Sequence, residues 1–140
     1  MRKILPLFII LSLSLTACKD PALGVVIFRN RTAVDVRVLI SDGSTERPFT
    51  LRPRQETSLV VEEFNHDNGP LEVINESLGL TGVTQIQMIF DGETSLDYDA
   101  NTSLTVNNPV LEGGYTELRF DGVRSQFVYE ISEEHVIASN

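Results

Sequence analysis

Val34-Asp35-Val36-Arg37-Val38-Leu39-Ile40-Ser41 places β-branched residues at every second position, Val34, Val36, Val38 and Ile40. Successive side chains of a strand point to opposite faces, so a period of two predicts a half-buried strand with Asp35, Arg37, Leu39 and Ser41 on its other side. Asp42-Gly43 stops the run with turn chemistry. Upstream, Gly24-Val-Val-Ile-Phe-Arg29 is a β-branched and aromatic run that predicts a second strand. Downstream, Pro48 and Pro53 confine Phe49-Thr50-Leu51 to an edge or a short strand, because proline cannot donate to a ladder. Thr57–Glu62, Thr84–Phe90 and Thr94–Tyr98 predict further strands, with Asp91-Gly92 turning the chain between the last two. Tyr115–Phe120 and Gln126–Ile131 flank Asp121-Gly122, the clearest hairpin in the chain, since Asp-Gly accepts the positive φ of a tight turn.

The connecting stretches read differently. Asn65–Pro70 is a polar loop ahead of Leu71–Asn75, and Glu76–Val83, with Gly79 and Gly82, reads as a loop with one helical turn. Asp99–Gly114 holds three Asn, one Pro and two adjacent Gly around a short apolar stretch at Leu104–Val106, and is mostly loop. Ser132 followed by Glu133-Glu134 predicts the cap and acidic first turn of a short terminal helix. About seven to nine short strands with no long amphipathic helix predict an all-β domain: an antiparallel sandwich, with a small closed β-barrel as the alternative. Leu51-Arg-Pro-Arg-Gln-Glu-Thr-Ser-Leu59 resembles the aliphatic-x-Pro turn that leads into a strand in immunoglobulin-like sandwiches. Charges on several candidate strands argue against a transmembrane barrel.

The chain has 140 residues, enough for one domain of ordinary size. Eleven Lys and Arg stand against 20 Asp and Glu, a net charge of −9, and such an acidic surface repels phosphate backbones, so nucleic acid is not an expected partner. With a single Cys, no intrachain disulfide can form.

Arg2 and Lys3 precede the apolar run Ile4–Leu15, the length of a signal-peptide core and too short for a permanent membrane-spanning helix. The run ends in Leu15-Thr16-Ala17-Cys18, which resembles the lipobox of bacterial lipoproteins. The resemblance implies cleavage between Ala17 and Cys18, removing 1–17 as a signal peptide. It implies a diacylglycerol thioether on Cys18 and acylation of its freed amine, with 18–23 as lipidated cysteine and tether; the strand pattern then makes 24–140 a single sandwich domain. Two or three acyl chains hold a protein stably in a membrane at roughly 0.8 kcal/mol per buried methylene. No cofactor beyond that covalent lipid on Cys18 is expected. Lys19 stands where Asp would favour inner-membrane retention, which points to the outer membrane. Lys19-Asp20 also resembles the charged export signals of Bacteroidota surface lipoproteins, so the expectation covers the periplasmic face and the cell surface. Phe127-Val-Tyr-Glu-Ile-Ser-Glu-Glu134 is similar to the closing stretch of small Bacteroidota β-sandwich lipoproteins, a family with no established activity to lend.

Candidate chemical groups are few. His66, within Glu62-Glu-Phe-Asn-His-Asp-Asn68, reads as part of a solvated loop, and His135, after Glu133-Glu134, as part of a solvated helix face. A zinc site needs three or four convergent ligands, and two His with no available Cys do not supply them. Asp97, Asp99 and Asn101 present oxygens at the first, third and fifth positions of a calcium-loop pattern. Thr102 at the sixth position and Asn108 at the twelfth exclude the helix-flanked motif and leave only a looser loop site. The pairs Glu62-Glu63 and Glu133-Glu134 read as solvated charge. Tyr98, Tyr115 and Tyr129 would stack on sugars if exposed together, but tyrosines in strands usually pack in a core. These readings contain no catalytic constellation. They predict a non-catalytic binding module presenting Asn65–Pro70 and Asp99–Gly114 to a protein or glycan partner. The alternatives are an accessory subunit of an envelope complex and, behind it, a hydrolase using Asp97 or Asp99.

Overall fold

The structure is a computed structural model that describes residues 22–65, 67–103, 106–120 and 124–140. Residues 1–21, with the expected signal peptide, Cys18 and most of the expected tether, lie outside the described residues, as do His66, Leu104 and the expected Asp121-Gly122 turn. The strands are β1 Leu23–Asn30, β2 Val36–Ser41, β3 Glu46–Leu51, β4 Glu56–Val61, β5 Gln85–Phe90, β6 Thr94–Asp99, β7 Thr116–Phe120 and β8 Arg124–Ile131. Helix α1 spans Pro70–Leu78, α2 spans Glu133–Ser139, and Glu112–Gly114 forms a 3₁₀ turn.

The strands form two open four-stranded sheets, in the orders β4-β1-β8-β7 and β3-β2-β5-β6. The domain is therefore an all-β sandwich and not the closed barrel. The Val34–Ser41 alternation holds: Val36, Val38 and Ile40 point into the core, with Arg37 exposed behind them. They meet Ile86, Met88 and Phe90 of β5 and, from the facing sheet, Val26, Phe28, Phe127 and Tyr129. Pro48 sits on β3, an edge strand, where its missing N–H breaks no ladder.

One pair departs from the antiparallel expectation. β1 and β8 run parallel in register from Leu23↔Arg124 to Asn30↔Ile131. Parallel neighbours need a long crossover, and here the other six strands supply it. β1 is buried on both faces, with Val26 and Phe28 in the main core and Val25 and Ile27 clustered with Val128 on the outside.

Helix α1 replaces the short segment and loop expected over 71–83. Pro70 occupies its first turn, where a missing N–H goes unnoticed, and Gly79 closes it at φ +66, donating its N–H to the Asn75 carbonyl. Val73 and Ile74 are fully buried and seat the helix against β1 and β4. The seat exists because residue 24 is glycine: a Cβ there would lie 2.5 Å from Phe64 Cγ and 2.8 Å from Val73 Cγ2. From the other sheet, Arg47 Nε donates to the Leu78 carbonyl at 3.0 Å. The helix thus plugs the end of the sandwich at which β1 begins and β4 ends.

Candidate functional site

The two loops expected to carry binding meet at one cavity of about 220 Å³. Asp67, Gly69 and Pro70 line it from the entry to α1, and Glu112 and Tyr115 line it from the far end of the 99–114 connection. Phe127 of β8 and Glu117 of β7 complete it from the inner face of the sheet. Local chemistry brings the loops together. A Cβ at Gly69 would collide with the Glu112 carboxylate, so glycine at the helix cap lets that carboxylate approach the N-terminus of α1, the positive end of its dipole. The Tyr115 hydroxyl donates to the Pro109 carbonyl at 2.7 Å, and its ring packs against Tyr129 with centroids 5.4 Å apart. Burial pushes the Tyr115 phenol well above its ordinary range, so it stays neutral. Phe127 packs edge-on against Phe64 at 6.4 Å. The floor is aromatic and the rim carries the carboxylates of Asp67, Glu112 and Glu117. Such a cavity suits a group that combines positive charge or hydrogen-bond donors with an apolar stem.

A second, more open depression of about 380 Å³ lies within the 99–114 connection, between Thr102 and Gly114. Asn108 organises this stretch. Its Nδ2 donates to the Asp99 carbonyl at 2.7 Å, and its Oδ1 accepts the Val110 N–H at 2.9 Å. The calcium-loop candidates are engaged locally. Asp99 Oδ1 accepts the Asn101 N–H at 2.8 Å and the Thr102 hydroxyl at 2.9 Å, and these bonds hold its carboxyl below the usual range. Asp97 accepts from Gln87 across the β5–β6 ladder, and Asn101 contributes its backbone N–H. Among the described residues no three His, Cys, Asp or Glu side chains are grouped to hold a metal ion.

His135 departs from the expected solvated helix face, being only 4 % exposed. Its Nδ1 accepts the Ser132 N–H at 3.1 Å, which puts the proton of the neutral ring on Nε2. Nε2 then donates to the Tyr129 hydroxyl at 3.0 Å, and that hydroxyl donates to the Asn107 carbonyl. Burial lowers the imidazole pKa and raises that of Tyr129. The Tyr98 hydroxyl lies beside Tyr129 without a well-formed hydrogen bond, and burial lifts its pKa to about 12. Tyr98 and Tyr129 are thus core residues, and of the three tyrosines only Tyr115 lines the cavity. The imidazole stands in for the glutamate of a capping box and ties α2 to β8 and to the 99–114 connection.

The paired acids face no common cleft. Glu62 and Glu63 lie exposed beyond the end of β4, and Glu133 accepts the Ala33 N–H at 2.9 Å from the first turn of α2. Glu112 enters the cavity as one member of the expected 99–114 loop, while Glu117 and Phe127 enter it from strands to which the sequence assigned no binding role. The Asn108-Pro109 turn was the available signal for the bend that delivers Glu112. Searches against protein-family models, curated proteins and solved structures gave no match.

Proposed function

We propose that this chain is a lipid-anchored lipoprotein of the bacterial cell envelope, attached at the outer membrane through Cys18, whose sandwich is a non-catalytic binding module. The anchor rests on the Leu15-Thr16-Ala17-Cys18 box behind a basic start and a short apolar run. The single observation that carries the binding reading is the convergence of loops 65–70 and 99–114 on one aromatic-floored, acid-rimmed cavity. The partner chemistry that fits is a lysine or arginine side chain of a protein, or an amine- or hydroxyl-bearing glycan.

Two experiments test the two halves. Metabolic labelling with a fatty-acid analogue should mark the wild type and spare Cys18→Ser, which should leave the detergent phase; unchanged partitioning of that variant would remove the anchor. Crosslinking on cells should capture a partner with the wild type and lose it with Glu112→Gln, a change that keeps the shape of the rim and removes one charge. Equal capture by both would shift the reading toward an accessory subunit held by a sheet edge. Protease shaving of intact and lysed cells then tells the cell surface from the periplasmic face.

A further inference from the structure

The outer face of the β4-β1-β8-β7 sheet carries apolar side chains that the main core does not use. Val25, Ile27 and Val128 form their own cluster, and Val60 and Leu118 stand 50 % and 44 % exposed beside it. Strand register sorts this face into rows. Val60, Val25, Gln126 and Leu118 cross all four strands in one row, and Ser58, Ile27, Val128 and Thr116 make the next. The third row is ionic, with Arg29 paired to Glu56 at 2.8 Å and to Glu130 at 3.1 Å. The apolar side chains therefore lie in the two middle rows, between the Arg29 pairs at the end of β1 and a preceding row in which Leu23 stands beside the exposed Arg124.

The chain toward Cys18 leaves from the Leu23 end, one row before Val25. Leu23 precedes Val25 by two positions, which puts both on this outer face. The chain is tied down from Ala22, whose carbonyl accepts the Phe64 N–H at 2.6 Å. The stretch from Cys18 to Ala22 reaches roughly 15 Å when fully extended. A lipid on Cys18 would thus hold the membrane within a few strand spacings of the row that contains Val60 and Leu118.

We propose that this face is seated on the bilayer that holds the anchor, with Val60 and Leu118 at the boundary between headgroups and acyl chains. The inference rests on the reading of Cys18 as the lipid-bearing residue. A tether this short keeps the face at high effective concentration against the membrane, so weak apolar contacts suffice. The acidic net charge gives anionic headgroups nothing to attract, so the contact is apolar and indifferent to salt. The Arg29 pairs lie two rows away and stay hydrated.

The test uses the full lipidated protein in phosphatidylcholine vesicles. Cys18 is the only cysteine of the chain, and once it is acylated an introduced thiol can be labelled alone. Leu118→Cys and Val60→Cys report the proposed face, and Ser95→Cys on exposed β6 reports the opposite sheet. The expected result is several-fold stronger quenching of the labels at 118 and 60 than at 95 by a lipid-borne quencher, with shielding from aqueous iodide, at low and high salt alike. Equal quenching at all three positions, with Cys18 acylated, overturns the seating and leaves the anchor intact. Shielding at 118 from both quenchers places a protein there instead and also overturns it. A free Cys18 thiol in the purified protein removes the anchor reading, and the seating with it.

Discussion

Asn30 closes β1 and is fully buried, yet every polar atom of its amide is engaged. Its Nδ2 lies 2.8 Å from the Val34 carbonyl, 3.0 Å from that of Leu51 and 3.1 Å from that of Arg52. Its Oδ1 accepts the Thr32 N–H at 2.9 Å and the Thr32 hydroxyl at 2.8 Å. One side chain thus serves the backbone of two loops that have no ladder of their own there. Asn30→Ala leaves those groups buried without partners and should lower stability by about 3 kcal/mol in chemical denaturation. Asn30→Asp should be worse, because it turns a buried acceptor toward three carbonyls. A change within the scatter of surface substitutions would refute this role. His135 acts through protonation. The unfolded chain takes up a proton near pH 6.5, while the folded ring, its pKa lowered by burial, resists it. Stability is therefore complete above that value and falls as pH drops through it toward the folded pKa. The denaturation midpoint should decline as pH falls through about 6.5, and His135→Gln should lack most of that slope. Asp42 and Asp99, whose carboxyls are held below their ordinary range by hydrogen bonds, act in the same direction but only below about pH 4.

Helix α1 depends on a missing atom. Gly24→Ala would drive a methyl into Phe64 and Val73, both buried, and should cost about 1–3 kcal/mol. The same substitution should release α1 locally, seen as faster hydrogen exchange at Val73 and Ile74 than in the strands; uniform exchange would sink the idea. The strands were legible in the sequence and this helix was not, for a physical reason. Alternation in β2, β5 and β6 reports directly which side chains face the core, because each strand has one dry face. In α1 Leu71, Ile74 and Leu78 do stand at helical spacing, but over only nine residues, with Val73 between them and Gly79 and Gly82 close behind, the period was too short to separate from a loop, although Pro70 and Gly79 marked its ends. The Ser132 cap of α2 was legible as well. The burial of His135 was not, because its partner Tyr129 lies on the preceding strand and the Asn107 carbonyl lies far away in sequence. Both cavity loops could likewise be named, while their meeting could not, since no local pattern encodes the approach of Glu112 to Gly69.

Long-range order in the domain is concentrated in the β1–β8 pair. Hairpins such as β2–β3, β5–β6 and β7–β8 join neighbours in sequence, and their turn chemistry announces them. The parallel pairing of the first strand with the last has no local signal, yet it makes both the two central strands of their sheet. It also sends the two ends of the pair apart, with Leu23 beside Arg124 at one pole and Asn30 beside Ile131 at the other. The start of β1 and α2 therefore lie at opposite poles. Because β8 supplies Phe127, Tyr129 and Ile131 to the core and bridges β7 to β1, the sandwich cannot form in stages that omit it. A chain ending at Phe120 should show no cooperative thermal transition and should bind hydrophobic dyes. A chain ending at Ile131 loses only α2 and its His135 bracket, and it should still unfold cooperatively at a lower temperature. If the shorter chain unfolded cooperatively, the remaining strands would form a core without β8, and the parallel pair would be an addition to the fold and not its closure.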